Sequence, residues 1–591
     1  MRFNFEVESD HHQRTETWEG YVDWRGRPAL RGHHGGFIAA SFVLVVEVME
    51  NMAFLANASN LVLYMLDYMH FTPSKSANAV TNFMGTAFVL ALLGGFLSDA
   101  FFTTYQVYLS SAAIQFLGLV ILTVQAYLPS LQPPLCVPGE STTPCREPNG
   151  SEAAMLYIGL YLVAAGVGGI KGSLPTHGAE QFDESTSQGR IKRSTFFNYF
   201  VFCLSAGGLL ATTFVVWIED NKGWKWGFFI STLAILLSIP VFLGGSTFCR
   251  NKIPSGSPLT TISKVLLGAI LNSCMSKNSS NAVANLSTSP PDYSPAKEGG
   301  VKKSQEVSER DSLETQTESF RFLNNAVNLK PVCSALECTI KQVEEVKIVL
   351  KILPIFASTI ILNCCLAQLS TFSVQQAASM DTKLGSVKIP PASLPVFPIV
   401  IIMVLAPVYD HIIIPFARKL TKRETGISHL QRIGTGLVLS VVAMGVAALV
   451  ELKRKQVAAE HDMLDSKAPL PITFFWIAIQ YALLGSADLF TLAGMLEFFF
   501  TEAPSSMRSL ATSLSWASLA VGYYLSSVIV AIVNDATRGG HHHEAWLSGE
   551  NLNHYHLEWF YWLLCVLGAL NLLNHILWAS RYKYRSTGSK K

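Results

Sequence analysis

Two acidic residues, Glu47 and Glu50, interrupt an otherwise apolar run over residues 36–58. The run is long enough to cross a bilayer as a helix, which takes about 20 residues. Acids inside such segments cost about 2.5–3.5 kcal/mol on insertion scales, and they usually face a hydrated cavity and mark an ion or substrate pathway. Because the two residues are three apart, they share one helix face, where like charges favour proton uptake by one of them. The spacing predicts a proton-binding site; the alternative is a pair that only bonds to neighbouring helices.

A lysine, Lys171, lies in the glycine-rich stretch 166–173 of the fourth apolar run. The glycines permit close helix packing or local unwinding, which can bring the lysine within reach of the two acids. We hypothesise an exchange in which an anionic substrate takes the lysine and the freed carboxylate takes up a proton. The alternative is a lysine near the end of its span whose ammonium extends to the aqueous surface.

A third acid, Glu497, lies in the tenth apolar run and is followed by the aromatic residues 498–500. Such surroundings make ionisation costly unless the acid faces a cavity, where it can bind a substrate donor or a lysine. An acid at the helix end that reaches water is equally compatible with the pattern. Gln480 and Asp488 are further polar residues of the same run.

The composition indicates a polytopic membrane protein. Of 591 residues, 50% are hydrophobic and only 15% are charged, against about 25% charged in soluble domains. The net charge of +2 is too small to indicate a nucleic-acid partner, and no basic stripe with interleaved aromatics suggests one. The sequence contains no phosphate-binding loop, no zinc-protease motif and no nucleophile elbow, so we expect no enzymatic activity, cofactor or metal.

The apolar runs number twelve, six on each side of a hydrophilic stretch of roughly a hundred residues. Parallel six-span repeats with the substrate site between them are how major facilitator transporters are built. We therefore predict an all-α membrane protein with the major facilitator fold, twelve transmembrane helices in two six-helix halves. The predicted domains are a cytoplasmic N-terminal segment (1–35), an N-terminal six-helix bundle (36–247), a partly disordered cytoplasmic linker (248–347), a C-terminal six-helix bundle (348–580) and a cytoplasmic tail (581–591).

The distribution of Lys and Arg favours cytoplasmic termini, since cytoplasmic loops carry the excess of positive charge. The basic run 453–455 falls on the outer side and disagrees locally, unless a helix extends past the membrane. With this orientation the loop 128–153 faces outward, where Asn149 is a glycosylation sequon. Cys136 and Cys145 of that loop could form a disulfide there or remain two free thiols.

Four motifs spread over the chain resemble the proton-coupled oligopeptide transporter family. They are the pair Glu47-x-x-Glu50, the glycine-rich segment that ends at Lys171 and continues into 178–183, the aromatic stretch 196–199, and residues 497–509. The long linker and the segment 18–24 are similar to the plant branch, the nitrate/peptide transporter family. Residues 56–64 and 81–88 resemble in particular the subfamily that contains abscisic acid importers, one of which is also described as a low-affinity nitrate transporter.

The chain departs from the family at three positions that bear on function. Asn51 follows the second acid, where the family normally carries Arg or Lys. Leu366 stands where a nitrate transporter of the family has a nitrate-contacting histidine, and Val107 where that protein has a phosphorylated threonine. An apolar Leu366 suits a largely hydrophobic carboxylic acid better than a small hydrated anion, which needs dense polar ligation.

The resemblance implies a multi-pass plasma-membrane importer that works by alternating access with protons as the coupling ion. Its implied substrate is abscisic acid; a low-affinity nitrate transporter and a ligand-binding sensor with little flux are the alternatives. The expected partners are the small anionic substrate, protons, the lipid bilayer and a kinase that acts on the linker. We expect Lys171 to hold the substrate, Glu47 and Glu50 to handle the proton, and Glu497, Leu366 and Asn51 to line the site.

Overall fold

Twelve long apolar helices dominate the structure, a computed structural model. The structure describes residues 17–71, 73–133, 148, 150–283, 319–327, 338–384, 387–388, 393–422, 426–466, 468–538, 545–547 and 552–584. Each of the twelve helices is long and apolar enough to cross a membrane, which confirms the predicted all-α membrane protein with twelve spans. We number them in chain order as α1 Gly36–Leu66, α2 Asn78–Ala100, α3 Thr104–Tyr127, α4 Gly150–Ala179, α5 Ser187–Lys222, α6 Trp224–Gly245, α7 Ile340–Ala378, α8 Val396–Thr421, α9 His429–Glu460, α10 Phe475–Glu502, α11 Ser505–Thr537 and α12 Leu557–Arg581.

Two of these helices begin with a reciprocal cap that the sequence encodes locally. The Thr103 side chain accepts a hydrogen bond from the Gln106 backbone at the start of α3, and the Gln106 side chain accepts one from the Thr103 backbone. Ser428 and Gln431 repeat this arrangement at the start of α9. Such a capping box satisfies two backbone donors that a helix start otherwise leaves unpaired. The caps fix where both helices begin.

The helices bury one side and leave large apolar side chains on the other. On α6, Phe228 and Ile235 are buried, whereas Leu233, Leu236 and Leu237 are exposed. An exposed apolar face of this size is unusual on a soluble protein, and it suits contact with lipid tails.

Within the described residues, seven short strands accompany the helices, none of which the sequence analysis predicted. Strands β1 (Thr17–Val22), β2 (Pro28–Leu30) and β3 (Asn251–Lys252) form an antiparallel sheet in the order β2-β1-β3. Strand β4 (Met380–Asp381) pairs in parallel with β7 (Leu470–Thr473), and β5 (Lys383–Leu384) pairs with β6 (Val387–Lys388). The guanidinium of Arg250 lies 3.9 Å from the ring centroid of Trp18 and 4.7 Å from that of Tyr21. This cation–π contact fastens the N-terminal strands to the segment that follows α6.

The chain divides into two compact units. The larger comprises Met1–Gly256, Pro354–Glu502 and Ser506–Lys591, and the smaller comprises Ser257–Leu353 with Ala503–Ser505. In the smaller unit, the helix Pro258–Val283 packs on the 3-10 turn Arg321–Val327 and on the first turns of α7. Buried apolar side chains form this contact: Val265, Ala269, Leu323, Ala326, Val343 and Val346. The domain boundaries derived from the sequence stay predictions, and Cys136, Cys145 and Asn149 lie outside the described residues.

Candidate functional site

The structure brings Glu47 and Glu50 of α1 into contact with Lys171 of α4. The lysine Nζ lies 2.6 Å from Glu47 Oε1 and 2.6 Å from Glu50 Oε2. All three side chains are at most 1% exposed. The three residues that the sequence singled out therefore form one buried cluster, which we call the Lys171 cluster.

The Lys171 cluster holds more carboxylates than cations. With both acids ionised it carries two negative charges against one positive charge. Glu47 Oε2 and Glu50 Oε1 have no hydrogen-bond partner among the described residues. An uncompensated buried charge is expensive, and a proton on either acid removes it. The geometry thus allows the cluster to bind a proton.

Asn51 completes the coordination of the lysine without adding charge. Its Oδ1 lies 3.4 Å from Lys171 Nζ, and its Nδ2 donates a 2.6 Å hydrogen bond to the Leu204 carbonyl of α5. A lysine ammonium has three donors, and here Glu47, Glu50 and Asn51 surround it. Asn51 therefore contributes a neutral oxygen to the surroundings of the ammonium.

Glycines of α4 explain how the lysine comes so close to its partners. A Cβ atom at Gly168 would lie 2.8 Å from the backbone carbon of Leu90, and one at Gly172 would lie 2.6 Å from the Gly95 nitrogen. From the α2 side, a Cβ at Gly94 would lie 2.7 Å from Gly169 Cα. Real Cβ atoms do not approach backbone this closely, so α2 and α4 pack directly backbone against backbone.

A cavity of about 250 Å³ lies beside the Lys171 cluster within the larger unit. Lys171, Asn51 and Leu366 line it, whereas Glu47 and Glu50 are not among its lining residues. The remaining walls are mainly apolar and come from both halves of the chain, including Phe54, Phe88, Leu204, Ile399, Leu492, Met495, Trp516 and Leu519. The lysine therefore stands between the cavity and the two acids.

Trp516 forms the cavity wall next to the lysine. Lys171 Nζ lies 5.2 Å from the Trp516 ring centroid, and Phe88 stacks on the same ring at 5.9 Å with an interplanar angle of 5°. A cation over an aromatic face is attracted by the ring quadrupole. Trp516 is one of several aromatic residues within the predicted spans, and the sequence alone did not indicate which of them line a cavity.

Glu497 lies elsewhere and is not among the lining residues of the cavity. Its Oε2 is 3.6 Å from Arg432 Nη1 and 3.6 Å from His429 Nδ1, both on the first turns of α9. In this structure Glu497 therefore faces these two side chains instead of lining the cavity with Lys171. His429 directly follows the Ser428 cap and Arg432 lies one turn further, so the capping box is the sequence signal that could have placed both inside a helix.

Polar contacts between the two halves close the bundle at one end. Glu184, in the turn after α4, lies 3.2 Å from Arg193 of α5 and 2.6 Å from Arg508 of α11. Asp99 at the end of α2 accepts hydrogen bonds from the Ser509 and Leu510 backbone at 3.2 and 2.9 Å. These contacts join residues far apart in sequence, and nothing in their local pattern predicted them. They hold the two halves together at this end of the larger unit.

Twelve membrane-length helices in two groups of six, with a buried ion cluster beside a central cavity, define the class of secondary transporters. Solved structures agree on the fold. A POT family transporter titled PepTSo matches with a TM-score of 0.60 at 17% identity over 92% of this chain and 99% of that one. An auto-inhibited POT family peptide transporter matches with a TM-score of 0.59 at 18% identity over 94% and 99%. The predicted fold is thereby confirmed.

Comparison of sequences finds relatives with much higher identity to this chain than these solved structures have. The profile described as "PTR2: POT family" matches residues 105–547. Protein NRT1/PTR family 4.6 of Arabidopsis thaliana is 67% identical over 98% of this chain and 99% of its own length. Protein NRT1/PTR family 4.5 of the same plant is 62% identical over 99% and 100%. The chain belongs to the POT family, among its NRT1/PTR members, as the sequence motifs predicted.

Proposed function

We propose that this POT family transporter imports abscisic acid by alternating access coupled to protons. The observation that carries the proposal is the position of Lys171. Its ammonium contacts Glu47 and Glu50 on one side and lines the cavity on the other. An anion in the cavity therefore meets the lysine before it meets either acid.

The walls of the cavity support a carboxylate on a largely apolar body. Abscisic acid has this chemistry, with one carboxylate on a hydrocarbon framework that carries few polar groups. Leu366 and the aromatic residues Phe54, Phe88 and Trp516 present apolar surface to such a body. Nitrate, the competing candidate, needs many polar ligands around a small anion. The polar residues of this cavity, such as Lys171, Asn51 and Asn363, are spread over a mainly apolar wall.

Coupling follows from the charge of the Lys171 cluster. With both acids ionised the cluster carries one net negative charge, and a bound monoanion raises this to two. Uptake of one proton by the acid that the lysine releases restores the original value, because an unpaired buried carboxylate favours its neutral form. Substrate and proton then travel together in the same loaded state.

Three further residues have supporting roles in this scheme. Asn51 holds the ammonium in place, and Leu366 gives the cavity its apolar character. Glu497 joins the substrate path in a conformation in which its contacts with Arg432 and His429 open. This role of Glu497 agrees with the expectation from the sequence that it lines the site.

The proposal includes a location and a direction. We place the protein in the plasma membrane with both termini and the linker 248–347 in the cytoplasm, where a kinase can reach the linker's serines and threonines. The end of the bundle that Glu184 and Asp99 close is then the cytoplasmic end. In this proposal, substrate reaches the cavity from outside while the contacts of Glu184 and Asp99 hold the cytoplasmic end closed.

Purified protein in liposomes tests this function. Radiolabelled abscisic acid should accumulate inside when the outside is made more acidic, and accumulation should collapse with a protonophore. Labelled nitrate is measured in the same vesicles. Accumulation of nitrate without abscisic acid would replace the proposed substrate, and saturable binding of abscisic acid without accumulation would replace transport by sensing.

A further inference from the structure

A second acid faces the cavity at a distance from the Lys171 cluster. Asp488 of α10 is among the lining residues. In the described part of the chain no hydrogen bond or ion pair reaches its carboxyl group. Two buried acids of other helices do have protein partners: Glu451 pairs with Arg454, and Glu219 accepts a hydrogen bond from Asn60. An acid without a protein partner in an apolar cavity is costly, unless a ligand supplies the partner.

The helix geometry places Asp488 at the opposite end of the cavity from Lys171. Asp488, Leu492 and Met495 line the cavity from one face of α10, at the spacing of successive turns. Trp516, Leu519 and Tyr523 do the same on α11. Lys171 lies over Trp516, and Asp488 lines the cavity together with Tyr523. Tyr523 is seven residues further along α11 than Trp516, a rise of about 10 Å along the helix axis.

The two ends of the cavity therefore differ in the charged group that lines them, and the wall between them is mainly apolar. The end lined by the Lys171 ammonium suits a carboxylate. The other end offers an acid together with the phenol of Tyr523 and the hydroxyl of Ser370. A hydroxyl group fits this end, since it can donate to the acid and accept from the phenol, whereas an ammonium has donors only.

We propose that Asp488 is a specificity residue that binds a hydroxyl group of the substrate, at the end of the cavity away from the carboxylate held by Lys171. The transported class is then a hydroxylated, otherwise apolar monocarboxylic acid. This inference rests on the proposed function, because it assumes that Lys171 holds the carboxylate. It adds that the cavity recognises its substrate at two ends.

The test compares abscisic acid with its deoxy analogue, in which a hydrogen replaces the hydroxyl. A hydrogen bond to a charged group contributes about 1.5–3 kcal/mol, so the native protein should favour the hydroxylated acid in KM by about tenfold or more. The variant Asp488→Ala should lose this preference to within about twofold. It should transport the deoxy acid with a KM close to the native value.

Two further variants keep the test decisive. Asp535→Ala removes an exposed acid of α11 and should retain the native preference. Asp488→Asn keeps the side-chain volume and should lower the preference even if the alanine variant fails to fold. A preference that survives in folded Asp488→Asn and Asp488→Ala protein would overturn the inference, as would equal transport of both acids by the native protein. Absence of transport of either acid by the native protein would overturn the proposed function instead.

Discussion

Two buried ion clusters built from the same kinds of side chain differ in how completely their atoms are paired. Glu451 and Arg454 of α9 form a one-to-one pair in which both side chains are fully buried. Arg454 donates to both oxygens of Glu451 at 2.8 and 2.7 Å, and its remaining nitrogen donates to Asn553 and Ser379. The Lys171 cluster has two acids for one cation and leaves carboxylate oxygens without partners.

The difference separates a pair that stabilises the fold from a cluster that can exchange partners. Arginine holds a carboxylate through two parallel hydrogen bonds in a rigid fork, whereas lysine is a point charge on a flexible stem. The arginine pair also accepts a hydrogen bond from Gln376 of α7, so its neighbours fix it from several helices. Only the Lys171 cluster borders the cavity. Pairing completeness and access to the cavity therefore distinguish the two regions.

The variant Lys171→Gln should have the largest effect on transport, because it removes the cation of the Lys171 cluster. Loss of a desolvated charge partner costs about 2–5 kcal/mol, so proton-driven uptake should fall about 30-fold or more. The measurement is initial uptake in liposomes under an imposed pH gradient, per folded protein. Lys225→Gln, the same change at an exposed lysine of α6, should transport normally. Undiminished proton-dependent uptake by the Lys171 variant would remove the mechanism.

The variant Arg454→Gln should lower the stability of the fold, because it removes the partner of Glu451. It leaves Glu451 as an uncompensated buried charge, which typically costs about 3–5 kcal/mol. We expect a clear decrease in the thermal unfolding temperature in detergent, while transport per folded protein stays near the native value. Native stability combined with lost transport would show that the two clusters have the same role.

The variant Glu50→Gln should sharpen the comparison, since it removes one proton acceptor and keeps the lysine paired with Glu47. We expect proton-driven accumulation to fall about tenfold, a loss of about 1.4 kcal/mol in coupling, while exchange of labelled for unlabelled substrate continues. Glu219→Gln is the matched control, because Glu219 is a buried acid outside the cluster. Equal losses of accumulation and exchange in the Glu50 variant would contradict a coupling role.

Glu184 provides the smallest expected effect, since it is 48% exposed. Burial raises its pKa, but Arg508 and Arg193 outweigh burial and hold the pKa below the ordinary 4.5. A lowered pKa means that the pairing stabilises the closed end above pH 4.5 and is lost as the pH falls through the lowered value.

The variant Glu184→Gln should therefore weaken closure at neutral pH by about 0.2–1 kcal/mol. The backbone amides of Ser509 and Leu510, which donate to Asp99 at this end, should exchange hydrogen up to about fivefold faster. Unchanged protection of these amides would mean that Glu184 does not contribute to closure.

The sequence predicted the helices and the Lys171 cluster because both depend on strong, local signals. Apolar length defines a span, and charges inside a span must find partners. The pair Glu451–Arg454 was missed because Arg454 was assigned to an outer basic run. The structure continues α9 to Glu460, so the run 453–455 lies on a helix. That outcome agrees with a helix that extends beyond the apolar stretch.

Other parts depended on contacts between distant segments. The strands β1 to β3 are short, and their pairing joins residues 17–30 to residues 251–252. Glu497 was expected at the cavity, but its partners Arg432 and His429 come from a different helix. Asp488 was visible as a polar residue of its span, although only the cavity shows which way it faces. The pattern of residue types along the chain does not show which distant segments come into contact.

The glycine contacts between α2 and α4 also have a mechanical consequence. Because the two backbones touch with no side chains between them, these helices cannot slide or rotate past each other without a steric clash. The backbone that carries Lys171 is therefore held in place by its close packing against α2. A change of its partners has to come from rotation of its own side chain or from displacement of α1.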